Sequence, residues 1–406
     1  MRIFDDVLVE KKHSEKILSL KSEFEKVFEN SNGTVFAITP VSLMLLGDHT
    51  HYNDGILLSV ALNKYTILIL RKRKDNYVKI VNAENNNKIE FTLSDIPEVK
   101  EIDFKYHVGL IKILKKNNLI NSGFECIYYS EVPDCIGIGK YSSMETGFIM
   151  ALKKSFRLKI EAEKLFELIH QNELNLIGKI SNPTHYYTVM FSKKNKLFFH
   201  DLRKKEFNTI PVKKNFEIVI VDTHEKILNP LNICNERIEE CEVGVKGLRL
   251  YIWGIKNLRD VGLEFLLKHY HMIPRRIFNR VLYNVKERER VEKAINSIKN
   301  NSLTEFGKFI FESHWSMAED YELSNDNLNY IISKSAENDC VIGSKMISCT
   351  SIRSSYHIVR KECSEKFIDY IKNVYREKFN KEVTTYTLEF SDGVLLFSQK
   401  KLETII

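Results

Sequence analysis

Glycine is scarce in this sequence, with 16 residues in a chain of 406. That is about 4%, whereas globular proteins average about 7%. Loops that bind a phosphate group through their backbone N–H groups are usually rich in glycine. The few loops that do contain glycine therefore matter for any nucleotide site in this chain.

Cysteine pairs with the spacing of a metal site are also lacking. The seven cysteines are scattered and odd in number, and no two of them have CxxC spacing. Without this spacing a structural zinc site is not expected. The scatter and the odd count favour a reducing cytoplasm over a disulfide framework, and we therefore predict a cytoplasmic protein.

Long apolar runs and a secretion signal are lacking as well. The longest apolar stretch, residues 55–70, is interrupted by Asn63 and Lys64. We therefore predict two strands there and not a membrane span. The acidic residues within the first twelve positions do not fit a signal peptide, and we predict no membrane partner.

The chain has no strong excess of charge. Its net charge is +7, from 61 basic and 54 acidic residues, which is mild for this length. Two basic clusters, residues 71–74 and 275–280, could contact an anion, but solvated ends of strands and helices are the more common explanation. No aromatic platform or helix-turn-helix pattern accompanies them, so we predict no nucleic-acid partner.

The sequence contains strands followed by helices, and this order occurs twice along the chain. β-Branched and aromatic runs dominate the first third, and a strand at 216–223 opens a second half rich in amphipathic helices. Asn182-Pro183 marks a turn, after which we predict a β-hairpin with its own turn at 193–196. This order predicts an α+β protein of two domains, residues 1–205 and 206–406.

Two segments stand out as candidate sites. LLGDHTHYNDG, residues 45–55, places two histidines, two aspartates, an asparagine and a tyrosine between two apolar runs, and such polar loops are usually functional. The second segment runs from an apolar strand at 124–133 through the loop 134–143 into a pattern with helical spacing at 144–156. A strand, a glycine-containing loop and a helix N-terminus suit an anion.

Five motifs occur in an order that matches one known family. They are GDHTHYNDG (47–55), VPDCIGIGKYSSME (132–145), NERIEECE (235–242), the helix pair at 290–324 and GSKMISCTSIRSSYHIV (343–359). Together they resemble the motifs of galactokinases over nearly the whole chain. The resemblance implies the α+β, two-domain GHMP kinase fold, with ribosomal-S5-like β-α-β elements in the N-terminal domain and a C-terminal α/β sandwich. It also implies a sugar 1-kinase that uses ATP and Mg²⁺.

Several sugar contacts that the resemblance implies are substituted. The family's arginine beside the reacting hydroxyl is Ser42 here, and its sugar-binding glutamate is Asp48. The signature aspartate is His51, and a tyrosine near the third motif is Cys234. A neutral imidazole offers one donor and one acceptor, where a carboxylate accepts from two hydroxyls. His49 does match the family, and shaping the turn explains it as readily as substrate binding does.

The residue at the position of the family's catalytic base is His185. A histidine can act as a general base, but its neutral form lacks the negative charge that makes a hydroxyl more nucleophilic. Because the arginine at position 42 is also absent, the catalytic pair is replaced as a unit. A structural histidine in a loop is the favoured alternative.

The nucleotide loop keeps part of the family pattern. Gly137 is retained, Gly139 adds a second glycine, and Ser142 stands at the last position of the family's L-S-S-S-A run. Their backbone N–H groups at a helix N-terminus and the positive charge of Lys140 would suit phosphate. Tyr141 could equally fill the pocket, so nucleotide binding and a filled pocket both stay open.

Two further positions concern the metal and the last glycine motif. Glu173 matches a family glutamate near the metal, although one carboxylate does not make a magnesium site and an exposed helix acid is the alternative. The last motif has Ser348, Thr350, Ile352 and Arg353 in place of four glycines. β-Branched residues disfavour positive φ, so we expect a loop of different shape beside the sugar and the phosphates.

From the substituted positions we expect a galactokinase-like protein with little or no ATP:galactose phosphotransferase activity. Its role would then be to sense a ligand or to bind a protein partner, with a small sugar and a nucleotide as candidate ligands. The alternative is an active, divergent sugar or small-molecule kinase with a rebuilt site that uses His185.

Overall fold

The computed structural model describes residues 11–213, 215–348 and 352–405. The first sheet contains β1 (Val35–Leu46), β2 (Ile56–Lys72), β3 (Tyr77–Asn82), β4 (Lys88–Thr92), β5 (Phe124–Ser130), β6 (Lys196–Asp201), β7 (Glu206–Pro211) and β12 (Leu395–Ser398). The second sheet contains β8 (Phe216–Asp222), β9 (Val341–Met346), β10 (Ser354–Arg360) and β11 (Thr384–Leu388). The helices are α1 (Lys11–Phe28), α2 (Ile102–Lys116), α3 (Lys140–Phe156), α4 (Ala162–Ile177), α5 (Thr184–Phe191), α6 (Pro230–Leu248), α7 (Leu263–Lys268), α8 (Arg275–Lys299), α9 (Leu303–Glu319), α10 (Asp326–Ala336), α11 (Ser364–Phe379) and α12 (Gln399–Ile405).

The strand β2 is continuous over 17 residues, so the prediction of two strands in this stretch is wrong. Its first half pairs with β6, its second half pairs with β5, and both halves pair with β1. The register with β1 shifts between Pro40 and Val41, and Asn63 and Lys64 lie at this shift. The polar residues that interrupt the apolar run therefore mark an irregularity that bends the strand, and the chain does not reverse there.

The helix α3 packs against the first sheet and is buried along most of its length. Met144, Phe148 and Leu152 recur at helical spacing and all belong to one core cluster. The sequence predicted this helix from that spacing, and the structure confirms it. Gly147 lets the helix approach the sheet closely, because a Cβ there would lie 3.1 Å from Oγ1 of Thr39. The loop in front of α3 is thereby fixed relative to β1.

The segment that follows Asn182 and Pro183 forms α5, so the β-hairpin predicted at this point is wrong. Oδ1 of Asn182 accepts a hydrogen bond from the Thr184 N–H at 3.0 Å and so satisfies a free donor at the helix start. Most of the helix is buried, and tertiary packing thus overrides the strand preference of its aromatic and β-branched residues. The hairpin is formed later by β6 and β7 around 202–205, whereas 192–195 connects α5 to β6.

The two sheets share a hydrophobic core. One cluster combines Val41 and Leu58 of the first sheet with Ile220 and Tyr356 of the second. The strand β12 comes from the second half of the chain but pairs with β1. The boundary between residues 205 and 206 stays a prediction.

Cys340 and Cys363 form a disulfide that joins the start of β9 to the turn before α11. Their Cα atoms lie 5.9 Å apart, although the residues are 23 positions apart in sequence. Cysteine spacing did not indicate this pair, because the β9–β10 hairpin brings the two residues together.

Candidate active site

The polar segment 45–55 forms a turn between β1 and β2, and a residue of α8 holds it. Gly47 has a φ of +90°, and a Cβ at this position would lie 2.4 Å from the carbonyl oxygen of Ile56. Only glycine fits this conformation and this close approach. The N–H of Gly47 donates to Oε1 of Glu287 at 2.9 Å. The shape of the turn is thus fixed by the second half of the chain.

Asp48 lies in a buried ionic cluster. Its carboxylate forms an ion pair with Lys345, whose Nζ also lies 3.8 Å from Oε1 of Glu287. Burial raises the pKa of Asp48, and the Lys345 ammonium offsets only part of that rise. Burial alone would also raise the pKa of Glu287, but Lys345 and Arg290 hold it below its ordinary value. The carboxylate that was expected to bind a sugar hydroxyl is therefore engaged by a cation.

His49 and His51 are neutral imidazoles at pH 7. Burial lowers the pKa of His51 to about 3 and holds that of His49 well below its usual range. Nε2 of His51 lies 3.2 Å from the carbonyl oxygen of Lys179, so Nε2 carries the proton and Nδ1 is an acceptor. Nδ1 of His51 and Nε2 of His49 are buried without a hydrogen-bond partner among the described residues. His51 thus offers a ligand one neutral acceptor.

Ser42 and His185, at the positions of the expected catalytic arginine and aspartate, contact each other directly. Ser42 lies in β1, His185 lies in the first turn of α5, and Oγ of Ser42 is 2.7 Å from Nδ1 of His185. Burial lowers the pKa of His185 to about 4, so its ring is neutral at pH 7. The histidine lies on a helix, and the expectation that it stands in a loop is wrong.

Cys234 lies in α6 and is completely buried. It belongs to an apolar cluster with Ile238 and Cys241, against which Tyr52 of the 45–55 turn also packs. A thiol is at best a weak hydrogen-bonding group. The observed surroundings are those of a packing residue, and the substrate contact stays a prediction.

The glycine-containing loop leads into α3, next to the Ser42–His185 pair. Gly137 has a φ of +77° and Gly139 has a φ of +68°. A Cβ on Gly139 would lie 2.6 Å from Oγ of Ser42 and 3.1 Å from Nδ1 of His185. The start of the helix, where backbone N–H groups are free to bind an anion, therefore lies against Ser42 and His185.

Side chains of the same loop occupy part of the space in front of α3. Nζ of Lys140 lies 2.8 Å from Oδ1 of Asp134, and the ring of Tyr141 stacks on Tyr106 with centroids 4.3 Å apart. A cavity of about 100 Å³ remains beside them, whereas pockets for whole small molecules usually measure about 300–1,000 Å³. The space suits a phosphate group better than a complete nucleotide.

Glu173 is buried and lines the same cavity, so the alternative of an exposed helix acid is wrong. Its carboxylate accepts hydrogen bonds from Oγ of Ser142, at 2.9 Å, and from Oγ of Ser181. Burial raises the pKa of Glu173 and that of its neighbour Glu145, and for Glu145 the charge of Glu173 adds to the rise. Oε2 of Glu145 is buried without a hydrogen-bond partner among the described residues.

Known proteins resemble this chain in sequence. A galactokinase galactose-binding signature matches residues 22–72. The galactokinase of Clostridium acetobutylicum is 30% identical over 384 residues, which cover 92% of this chain and 97% of that protein. This chain belongs to the galactokinase family. The galactokinase of Fusobacterium nucleatum is 29% identical over 381 residues, with 92% of this chain and 98% of the relative covered.

Solved structures agree with the galactokinase assignment at the level of the fold. Lactococcus lactis galactokinase complexed with galactose matches with a TM-score of 0.88 at 23% identity, covering 94% of this chain and 99% of that one. The mevalonate kinase of Methanococcus jannaschii matches with a TM-score of 0.62 at 15% identity, covering 88% and 98%. These likenesses confirm the predicted GHMP kinase fold.

The galactokinase family implies ATP and Mg²⁺, and the residues in front of α3 fit the phosphates and the metal. Gly137, Gly139 and the helix N-terminus would hold phosphate oxygens. The Ser142 hydroxyl and the Glu173 carboxylate are oxygen donors of the kind that Mg²⁺ shares with nucleotide phosphates. Among the described residues, no group of three His, Cys, Asp or Glu side chains could hold a metal by itself.

Two residues of the last galactokinase motif contact other parts of this chain. Thr350 lies outside the described residues, and Ile352 is buried in the same apolar cluster as Cys234. Nη2 of Arg353 donates to the carbonyl oxygen of Asp134 at 3.0 Å and to Oδ2 of Asp222 at 2.9 Å. A guanidinium group therefore connects the second sheet to the nucleotide loop, where the family has glycine.

Sequence reasoning missed Lys345, the cation that engages Asp48. Lys345 is the third residue of GSKM, where the galactokinase motif has arginine, so a basic residue was the available signal. Neither its complete burial nor its pairing with a residue 297 positions away could be read from that signal.

Proposed function

We propose that this galactokinase-family protein no longer transfers phosphoryl groups from ATP to galactose at an appreciable rate. It acts instead by binding, as a sensor of a small ligand or as a docking protein. The observation that carries the proposal is the 2.7 Å contact between Ser42 and His185, which takes the place of an arginine and an aspartate.

The reaction needs charge that these two side chains do not provide. Phosphoryl transfer depends on positioning and on electrostatic stabilisation. Ser42 is neutral and cannot offset the charge that develops on the transferred group. His185, with a pKa lowered to about 4, is a neutral and weak base at pH 7. Because loss of a general base alone costs about 10²–10⁴-fold, we expect a rate at least about 10⁴-fold below that of an active galactokinase when both are lost.

The sugar side of the cleft supports the same proposal. The Asp48 carboxylate is paired with Lys345, so a sugar hydroxyl would have to compete with a buried ammonium group for it. His51 offers one neutral acceptor in place of a carboxylate. A sugar that binds here would be held by fewer charge-assisted hydrogen bonds, which are the stronger ones.

ATP and Mg²⁺ are proposed as ligands and not as reagents. The metal would supply positive charge to the phosphate oxygens. The residues proposed to hold the phosphates and the metal are Gly137, Gly139, Ser142 and Glu173. The Ser142–Glu173 hydrogen bond of 2.9 Å already keeps the two oxygen donors together.

A turnover assay over a panel of simple sugars tests the proposal. Pure protein is incubated with Mg²⁺, ATP and each sugar, sugar phosphates are detected by mass spectrometry, and the Clostridium acetobutylicum galactokinase serves as the active control. We expect no galactose 1-phosphate above the protein-free blank. Formation at a rate within about 100-fold of the control would overturn the proposal, since that loss is no larger than one missing general base explains.

A second candidate is an active, divergent sugar or small-molecule kinase that uses His185 as its base. It is favoured by the position of His185, which lines the cavity beside the nucleotide loop while Ser42 orients its ring. Turnover of any sugar in the panel that is abolished by His185→Ala would support this candidate. Turnover that survives the substitution would exclude it.

A further inference from the structure

Exposed hydrophobic side chains are concentrated in one part of the chain, far from the nucleotide loop in sequence. Twelve large hydrophobic side chains are exposed among the described residues, and six of them fall within residues 243–276. Trp253 is 99% exposed, Leu250 81% and Tyr270 66%. Exposed apolar patches mark interaction sites, and a local concentration of such side chains is a candidate for one. The six are Val243, Leu250, Tyr251, Trp253, Leu267 and Tyr270.

The same segment carries most of the net charge of the protein. Residues 243–276 contain seven Lys or Arg and two Asp or Glu, a net charge of +5, while the whole chain has +7. Three of these basic residues, Lys246, Lys256 and Lys268, are exposed and lie between the apolar residues in the sequence. We call the exposed residues of 243–276 the apolar–basic surface.

The backbone that presents this surface is anchored. Leu248, Ile255, Leu266 and Ile273 alternate with the exposed residues and are buried in one core cluster. Arg249 ties the turn after α6 in place, since its guanidinium donates to the carbonyl oxygens of Ile255 and Lys256. The apolar side chains therefore project from a fixed frame.

The end of α6 and the segment before α8 also lie side by side. A Cβ on Gly247 would approach Cγ2 of Ile273 to 2.7 Å. This contact places the end of α6 next to Ile273, two positions before the start of α8. The segment that carries the apolar–basic surface therefore returns to the end of α6.

Although the sequence led us to expect no membrane partner, we propose that the apolar–basic surface docks on an anionic lipid bilayer. Trp and Tyr at the boundary, aliphatic side chains that enter the acyl region and flanking Lys and Arg near the headgroups are the elements of interfacial anchors. Among the described residues no helix is long and apolar enough to cross a bilayer, so the contact is with the lipid surface only. This would bring the ligand-binding protein to a membrane without any change in its cleft.

Other occupants fit the surface less well. A second copy of the chain would bring two surfaces of net charge +5 together, which is unfavourable. A single-stranded nucleic acid would stack on Trp253 and Tyr270, but aliphatic Leu250 and Leu267 have no π face for a base. Lipid is the one occupant that uses the aliphatic, aromatic and basic side chains together.

Vesicle binding with Trp253 as the reporter tests this proposal. The chain has two tryptophans, so Trp315→Phe leaves Trp253 as the only indole. We expect this protein to sediment with vesicles of 30% phosphatidylserine in phosphatidylcholine, with a blue shift of Trp253 emission. It should not sediment with pure phosphatidylcholine, and 0.5 M NaCl should weaken the binding because it screens the charges.

Matched variants distinguish vesicle binding through the apolar–basic surface from non-specific binding. Leu250→Ala with Trp253→Ala should lower the partition coefficient at least about tenfold, and so should Lys246→Glu with Lys256→Glu. Leu228→Ala is the control, because Leu228 is 86% exposed but precedes the opposite end of α6, roughly 30 Å away. The proposal would be overturned if the protein failed to bind anionic vesicles, or if binding survived in the Leu250/Trp253 variant. It would also be overturned if the protein formed dimers that this variant abolishes, or if it retained single-stranded RNA and not vesicles. None of these results depends on phosphotransfer.

Discussion

Oγ of Ser42 lies 2.7 Å from Nδ1 of His185, although 143 positions separate the two residues. The contact joins β1 to α5, and Gly139 at the start of α3 lies directly against it. Both side chains are uncharged at pH 7, since burial lowers the pKa of His185 to about 4. At the two positions where the family resemblance leads us to expect an arginine and an aspartate, this chain thus has a neutral hydrogen bond.

The lowered pKa of His185 predicts a loss of stability in acid. The unfolded chain binds a proton at this residue near pH 6.5, whereas the folded chain binds it only near pH 4. The stabilising contribution is complete above about pH 6.5 and is lost as the pH falls towards 4. Replacing His185 by Gln should reduce the pH dependence of the unfolding free energy over this window, by at most about 1.4 kcal/mol per pH unit.

Chemical denaturation at a series of pH values measures this effect. His271→Gln, at an exposed position, serves as the matched control. An imidazole of His185 that titrates near pH 6.5 by NMR would contradict the prediction.

Removing Lys345, the cation that pairs with Asp48, should destabilise the folded protein. Lys345→Met keeps the volume of the side chain but leaves Asp48 and Glu287 buried beside each other without Lys345. The loss of one partner from a buried ion pair destabilises by about 3–5 kcal/mol. Adding Asp48→Asn should restore part of the lost stability, because it removes one of the two buried carboxylates that no longer have Lys345 as a partner.

Urea denaturation of both single variants and the double variant gives the coupling energy. Lys268→Met removes an exposed ion pair with Glu264 and is the control, with an expected change of about 0–1 kcal/mol. A Lys345→Met variant as stable as this control would show that the buried pair does not hold the turn.

The raised pKa of Glu145 predicts a stabilising substitution. A carboxyl whose folded pKa exceeds its unfolded value destabilises the fold at pH values above the unfolded value of about 4.5. Glu145→Gln removes that penalty, so it should stabilise the protein at pH 8 and have a smaller effect at pH 4.5. Thermal unfolding at the two pH values measures the difference, with exposed Glu377→Gln as control. A gain that is equal at both pH values would contradict the assignment.

Nucleotide binding without turnover predicts a thermal shift. Saturation with Mg²⁺ and ATP at ten times the dissociation constant stabilises by about 1.4 kcal/mol, and we expect this shift in the wild type. Ser142→Ala and Glu173→Gln should each diminish it, because these residues supply the proposed oxygen donors. Shifts that are the same in the wild type and both variants would remove Ser142 and Glu173 from the proposed ligand set.

Local patterns allowed much of the fold to be predicted. Helical spacing at Met144, Phe148 and Leu152 indicated α3, and the strand–loop–helix order located the nucleotide loop. The failures came where long-range packing decides the structure. Burial holds α5 in place despite its residue types, and pairing with β1 keeps β2 continuous across Asn63 and Lys64.

The motifs singled out Ser42, Asp48, His51 and His185, and their role as site residues stays a prediction. Partners from distant segments determine what each of them can do. Asp48 is engaged by Lys345, and the charge of His185 is set by burial against β1. Such contacts arise only in the folded chain, and no local pattern encodes them.

A single-turnover measurement tests the central claim most directly. Protein in excess over radiolabelled galactose is held with Mg²⁺ and ATP for many hours, so that even very slow transfer accumulates as galactose 1-phosphate. We predict that any product forms at least about 10⁴-fold more slowly than with an active galactokinase, and at the same rate with the wild type and with His185→Ala. Product that accumulates with the wild type and disappears with His185→Ala would contradict the account, because the Ser42–His185 pair would then be a working catalytic centre.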